Sequence, residues 1–99
     1  MIEICNLRRE NPVRPYDVCV DRSSPLGNPF PMKSERERNK VCNQYEKWFH
    51  RSNFDMPFSN ECQRLLSIYE KYGKLRLFCW CAPKRCHAET IKRWLKSQL

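Results

Sequence analysis

A chain of 99 residues, 40% of them hydrophobic and with a formal charge of +8, has the size of a single domain spanning residues 1–99. No run approaches the ~20 apolar residues of a membrane span. Met1-Ile2-Glu3-Ile4 enters a strand-like pattern at once, so no signal peptide is expected and the chain reads as cytoplasmic, with no membrane partner.

Seven cysteines would suit a disulfide framework, but the count is odd and no export signal accompanies it. Free thiols are expected, serving as core filler, metal ligands or nucleophiles. The charge is uneven. Residues 1–70 hold 11 basic and 10 acidic side chains, whereas residues 71–99 hold 8 basic ones against Glu89 alone. Such a field attracts polyanions and phosphorylated small molecules; a merely solvated, solubilising face is the alternative.

Ile2–Asn6 alternates apolar and polar residues and predicts a short strand. Asn11-Pro-Val-Arg-Pro15 is a loop, since two prolines so close do not fit a ladder. Tyr16–Val20 predicts a second strand, followed by the turn-rich stretch Ser23–Pro31. Ser34-Glu-Arg-Glu37 has the form of a capping box and opens a helix that carries Val41, Tyr45, Trp48 and Phe49 on one face and fades near Ser52-Asn53. Phe54–Phe58 reads as a connector. A second helix is expected from Ser59-Asn60 to Gly73, aligning Cys62, Leu65, Leu66, Tyr69 and Tyr72. Leu75–Cys81 is a third strand, Ala82–Arg85 a turn, and a last helix runs from about Cys86, burying Ile91, Trp94 and Leu95.

The order β-β-α-α-β-α predicts one small α/β domain, with an α+β arrangement as the alternative, built on a short mixed sheet of three to four strands. About nine residues join the first two strands, too few for a parallel crossover, so these are expected to be antiparallel or not adjacent. The second and third strands are separated by two helices and are free to pair in parallel. Their following loops would then leave the same sheet edge, where open α/β sheets bind ligands.

Two constellations carry chemistry. In Cys79-Trp-Cys-Ala-Pro-Lys-Arg-Cys-His87, the donors Cys79, Cys81, Cys86 and His87 are right for zinc in type, although not in spacing. Alternatively, Cys86 starts a helix beside Lys84, Arg85 and His87, a setting that favours a reactive thiolate with His87 as its base. A third reading is structural: Cys79 and Cys81 share a face with Leu75 and Leu77 and pack as small hydrophobes. The second constellation is Arg22–Asn28. Gly27 permits close backbone approach, Ser23, Ser24 and Asn28 offer short polar groups, and Arg22 can grip a phosphate with two parallel bonds.

Arg22, the Gly27-Asn28-Pro29-Phe30 loop and the Cys79-Trp80-Cys81…Pro83…Cys86-His87 ending together resemble uncharacterised-domain family 4326, a group of short phage and bacterial proteins. The resemblance runs from about Tyr16 to Leu95. It departs from the family pattern at Asp21, where a glycine is frequent, and at Ala88-Glu89, in place of Gly-Asp. It implies a fold and a site position, not a reaction. The chain has no Walker loop, dinucleotide fingerprint or deaminase signature.

The leading expectation is a domain that binds a phosphate-bearing ligand, a nucleotide or nucleic acid, between the Arg22–Asn28 loop and the start of the last helix. Arg22 and the helix-start amides would hold it, Asn28 would orient it, Lys84 and Arg85 would steer it, and Cys86 with His87 would act on it. A non-catalytic module docking on a protein partner through its basic C-terminal face, and a small zinc module, are the competing readings. No cofactor is expected, zinc being the exception.

Overall fold

Three short strands, β1 (Ile2–Asn6), β2 (Asp17–Cys19) and β3 (Leu75–Cys79), form a wholly parallel sheet in the order β1-β3-β2. The structure is a computed structural model and describes residues 1–52 and 56–99. A 3-10 turn at Glu35–Glu37 leads into α1 (Arg38–Ser52); α2 (Met56–Tyr72) and α3 (Ala88–Ser97) complete the domain. The expected element order holds, and the first two strands are indeed not adjacent. The sheet is not mixed, however: β1 runs parallel to β3, with Ile2 opposite Leu75 and Asn6 opposite Cys79.

β3 is buried along its whole length because it is central and covered on both faces. Period-two alternation sends Leu75, Leu77 and Cys79 toward the helices, where they join Ile2, Val18 and Val20. Tyr45 and Phe49 of α1, Phe58, Cys62 and Leu65 of α2, and Ile91 and Leu95 of α3 close this core. Edge-to-face aromatic contacts link the helices, with Phe49 and Phe58 ring centres 4.9 Å apart and Phe49 and Trp94 6.0 Å apart.

The other face carries Arg76 and Phe78, and the β1–β2 link crosses over it. Arg76 pairs with Glu10 of that link and lies 3.6 Å from Asp17 and 3.9 Å from Glu3. Its guanidinium carbon sits 5.1 Å from the Phe78 ring centre. Asp17 also accepts the Val13 and Arg14 amides, so one carboxylate shapes the link while facing the buried cation. Breaking such a pair from one side is costly, because the remaining charge is left buried.

Local expectations fare unevenly. The capping box at Ser34 does not form: Ser34 makes no side-chain cap bond, and Glu37 instead donates its amide to the Ser34 carbonyl in the 3-10 turn. Of the expected connector Phe54–Phe58, the first two residues, like Asn53, lie outside the described residues. Pro57 and Phe58 are helical, a proline being tolerated in a first turn where its missing N–H is not needed. Gly73 ends α2 at φ 66, its N–H bonded to the Tyr69 carbonyl at 2.7 Å, as a C′ glycine does. Among the described residues no helix is long and apolar enough to cross a membrane.

Candidate functional site

Because all three strands are parallel, their carboxyl ends converge on one edge, and a cleft of about 540 Å³ opens there. β1 leads to Arg8, β2 to Asp21 and Arg22, and β3 to Trp80 and Cys81. The loop after β2 adds Asn28, Phe30 and Met32, α1 adds Arg38, and the segment entering α3 adds Arg85, Cys86 and His87. Four arginines therefore face one carboxylate.

That carboxylate is already committed. Asp21 accepts the Ser23 hydroxyl at 2.5 Å and the Ser23 amide at 3.1 Å on one oxygen, and the Trp80 indole N–H at 3.2 Å on the other. The Ser23 hydroxyl, followed by its amide and the indole, holds the Asp21 carboxyl below the usual carboxylate range, against a smaller opposing effect of burial. Asp21 thereby orients the half-exposed Trp80 ring at the lip of the cleft.

The arginines differ in what holds them. Arg85 is fixed by two neutral groups, the side-chain oxygens of Asn39 at 3.1 Å and Asn43 at 3.0 Å, which orient the guanidinium without cancelling its charge. Arg38 is clamped by both oxygens of Glu35 at 2.7 and 2.8 Å and also donates to the Arg85 carbonyl. This clamp, with Lys84 assisting, takes the exposed Glu35 carboxyl down to about 2. The guanidinium groups of Arg8 and Arg22 make no hydrogen bond or ion pair among the described residues.

Several expected site residues take other roles. Ser23 binds Asp21, and the Ser24 hydroxyl accepts the Leu26 amide at 3.1 Å; both complete the turn and neither lines the cleft. Gly27 has no positive φ. An added Cβ there would meet Arg22 Cα at 2.6 Å and strike the Asp21 carbonyl, so this glycine is required because the loop folds back on its own backbone. Asn28 lines the cleft while its oxygen accepts the Phe30 amide at 2.9 Å. Lys84 turns away to Glu35, 3.3 Å distant, and lines a separate groove.

The Cys86 expectation is revised most. Cys86 is only 4% exposed, and its Sγ lies 3.2 Å from that of Cys79. The cations beside it in sequence point elsewhere, Arg85 to α1 and Lys84 to Glu35. The contact with Cys79 and then burial push the Cys86 thiol up, whereas the same contact, aided by the Cys81 and Ala82 amides, moves Cys79 down. Two thiols so close titrate as a pair, and ionisation falls more readily on Cys79, whose sulfur receives more donors. Glu89 takes up part of this helix start: its carboxylate accepts the Cys86 N–H at 3.1 Å, and its own amide donates to the Cys86 carbonyl at 3.1 Å.

His87 is buried, and its Nε2 bonds the Val20 carbonyl. A carbonyl only accepts, so Nε2 carries the proton. Burial pulls its pKa below the ordinary value. Nε2 is committed to that carbonyl, and no cluster of three or more His, Cys, Asp or Glu side chains placed to hold a metal ion occurs among the described residues. The four-donor zinc arrangement is therefore not assembled.

The fold and cleft define a small open-sheet α/β domain with an arginine-lined cavity at the carboxyl edge of its strands. The chain belongs to the family described as domain of unknown function DUF4326, whose model matches residues 5–97. No curated protein and no solved structure matches the chain.

Proposed function

We propose that the domain binds a ligand combining a phosphate with a flat ring, a nucleotide in chemical class, in the cleft between the Arg22–Asn28 loop and the segment entering α3. The supporting observation is the imbalance of charge in a concave space. Arg8, Arg22 and Arg85 face it with no carboxylate on them, and Asp21 is spent on Ser23 and Trp80. Guanidinium groups suit phosphate because they offer paired N–H donors in one plane. Phe30, Met32 and Trp80 supply apolar surface for the ring. Cys86 and His87 serve as cleft wall in this reading, since both are buried and engaged with protein partners.

Titration calorimetry with the nucleoside 5′-monophosphates, with inorganic phosphate for comparison, tests the reading. Binding is expected for at least one nucleotide. Arg22→Ala should weaken it about tenfold or more, as expected for one lost charge-assisted contact. Absence of binding by every nucleotide, or affinity unchanged in Arg22→Ala, would sink it.

A further inference from the structure

A second depression of about 420 Å³ lies between β1 and α3, lined by Ile4, Ala82, Pro83, Lys84, Glu89, Lys92, Arg93 and Lys96. Its charges are not equally available. Arg93 is paired with Glu46 at 2.5 Å and Lys84 with Glu35 at 3.3 Å, while Glu89 is drawn to the Cys86 amide. Lys92 and Lys96 have no ion-pair partner among the described residues. They stand four residues apart on α3, hence neighbours on one helical face.

The groove and the cleft share a rim. Cys81, Arg85 and Cys86 face the cleft, and Ala82, Pro83 and Lys84, the residues between them, face the groove. One turn of chain is all that separates the two. Their linings also differ in kind. The cleft offers aromatic rings, including Trp80 at 51% exposure, whereas the groove offers no aromatic side chain, and its charges left without an ion-pair partner are the two lysines Lys92 and Lys96. This division fits a polymer that places one base in the cleft and successive phosphates in the groove.

We infer that the ligand is a single-stranded polynucleotide rather than a free nucleotide, its backbone passing over the Ala82–Arg85 turn onto Lys92 and Lys96. The inference rests on the nucleotide reading of the cleft and adds the substrate class. A single strand is specified because a base can reach the Trp80 ring only when unstacked from its neighbours. An acidic protein surface would use the lysines and leave the aromatic cleft unfilled.

The test compares a short single-stranded oligonucleotide, a duplex of the same sequence and the best-bound mononucleotide, by fluorescence anisotropy and calorimetry across a salt series. The single strand is expected to bind at least tenfold more tightly than the mononucleotide and more tightly than the duplex. Its log affinity should fall with log salt by about 0.7 per phosphate contacted. The double variant K92A/K96A should reduce that slope and bring the oligonucleotide to the mononucleotide's affinity, leaving mononucleotide binding unchanged. Equal affinity for mononucleotide and oligonucleotide, with no effect of K92A/K96A, overturns the inference while the cleft reading stands. Oligonucleotide binding insensitive to Arg22→Ala and Trp80→Ala, or no weaker for the duplex, also overturns it, because the lysine face would then act alone. Failure of every nucleotide and oligonucleotide to bind overturns both readings.

Discussion

At the scale of single residues, Cys79 and Cys86 form a coupled pair whose chemistry differs from that of either thiol alone. Cys86 is buried with its Sγ against that of Cys79, so it is a poor target for an electrophile. Cys81, partly exposed on the cleft wall beside Arg38, is the accessible thiol of this segment. Timed alkylation read by peptide mass should show Cys81 modified well before Cys79 and Cys86. Modification of Cys86 first would reinstate an exposed nucleophile at the start of α3. His87 gives a second residue-scale expectation. Its folded pKa lies below the ordinary 6.5, so as pH falls through about 6.5 the unfolded chain takes up a proton that the folded chain refuses. Stability contributed by neutral His87 is therefore complete above that pH and is lost as pH falls toward the folded pKa, at no more than about 1.4 kcal/mol per pH unit. Urea midpoints between about pH 8 and pH 5.5 should show this decline, and His87→Gln, which retains a donor for the Val20 carbonyl, should flatten it. A slope unchanged in His87→Gln would assign the titration elsewhere.

At the scale of elements, legibility depended on whether a signal was local. The face Val41, Tyr45, Phe49 identified α1, and Gly73 identified the end of α2, because period and chain direction are written in neighbouring residues. The orientation of β1 was not written locally. The link Leu7–Tyr16 is shorter than the usual parallel crossover, yet it crosses the back of the sheet because Arg76 receives Glu10 and because Asp17 gathers the Val13 and Arg14 amides. The Arg76–Glu10 contact joins distant parts of the chain, and neither it nor the turn at Asp17 leaves a periodic trace. The site inherits this split. Arg22, Asn28 and Arg85 follow β2 or precede α3 and were within reach of a motif reading. Arg8 is readable as following β1, but an antiparallel β1 would put it at the far edge; the parallel pairing with β3 brings it to the cleft instead. The same holds for Asn6, whose side-chain amide ties β1 to the Ala82 carbonyl at 2.6 Å. Nothing in the sequence distinguishes Arg38 from any other helix arginine; its importance comes from Glu35 and the Arg85 carbonyl meeting it in space. The capping box did not form because the Glu37 amide is taken by the Ser34 carbonyl in a tighter 3-10 turn, leaving the Ser34 side chain without its cap bond.

At the scale of the whole molecule, the basic C-terminal third is not one uniform surface. Arg76 is consumed on the back of the sheet, Arg85 enters the cleft, and Lys92 and Lys96 border the groove. The order β1-β3-β2 has a further consequence in time. β1 and β2 pair with β3 and not with each other, so the strand on which both depend is the last of the three to be synthesised. Until Leu75–Cys79 has emerged, Ile2, Ile4, Val18 and Val20 have no ladder to join, and the nascent chain must stay soluble without its sheet. The strands are short, and the charges that follow them, Arg8, Arg9 and Glu10 after β1 and Asp21 and Arg22 after β2, oppose premature strand pairing between copies. Such late closure makes folding depend on contacts across most of the chain, which slows it relative to a helical bundle of the same length. A chain ending at Gly73 should accordingly show helical signal from residues of α1 and α2 but no protected amides at Ile2–Asn6 or Asp17–Cys19 in hydrogen exchange. Protection of those amides in the shortened chain would mean that the first two strands find order without the third.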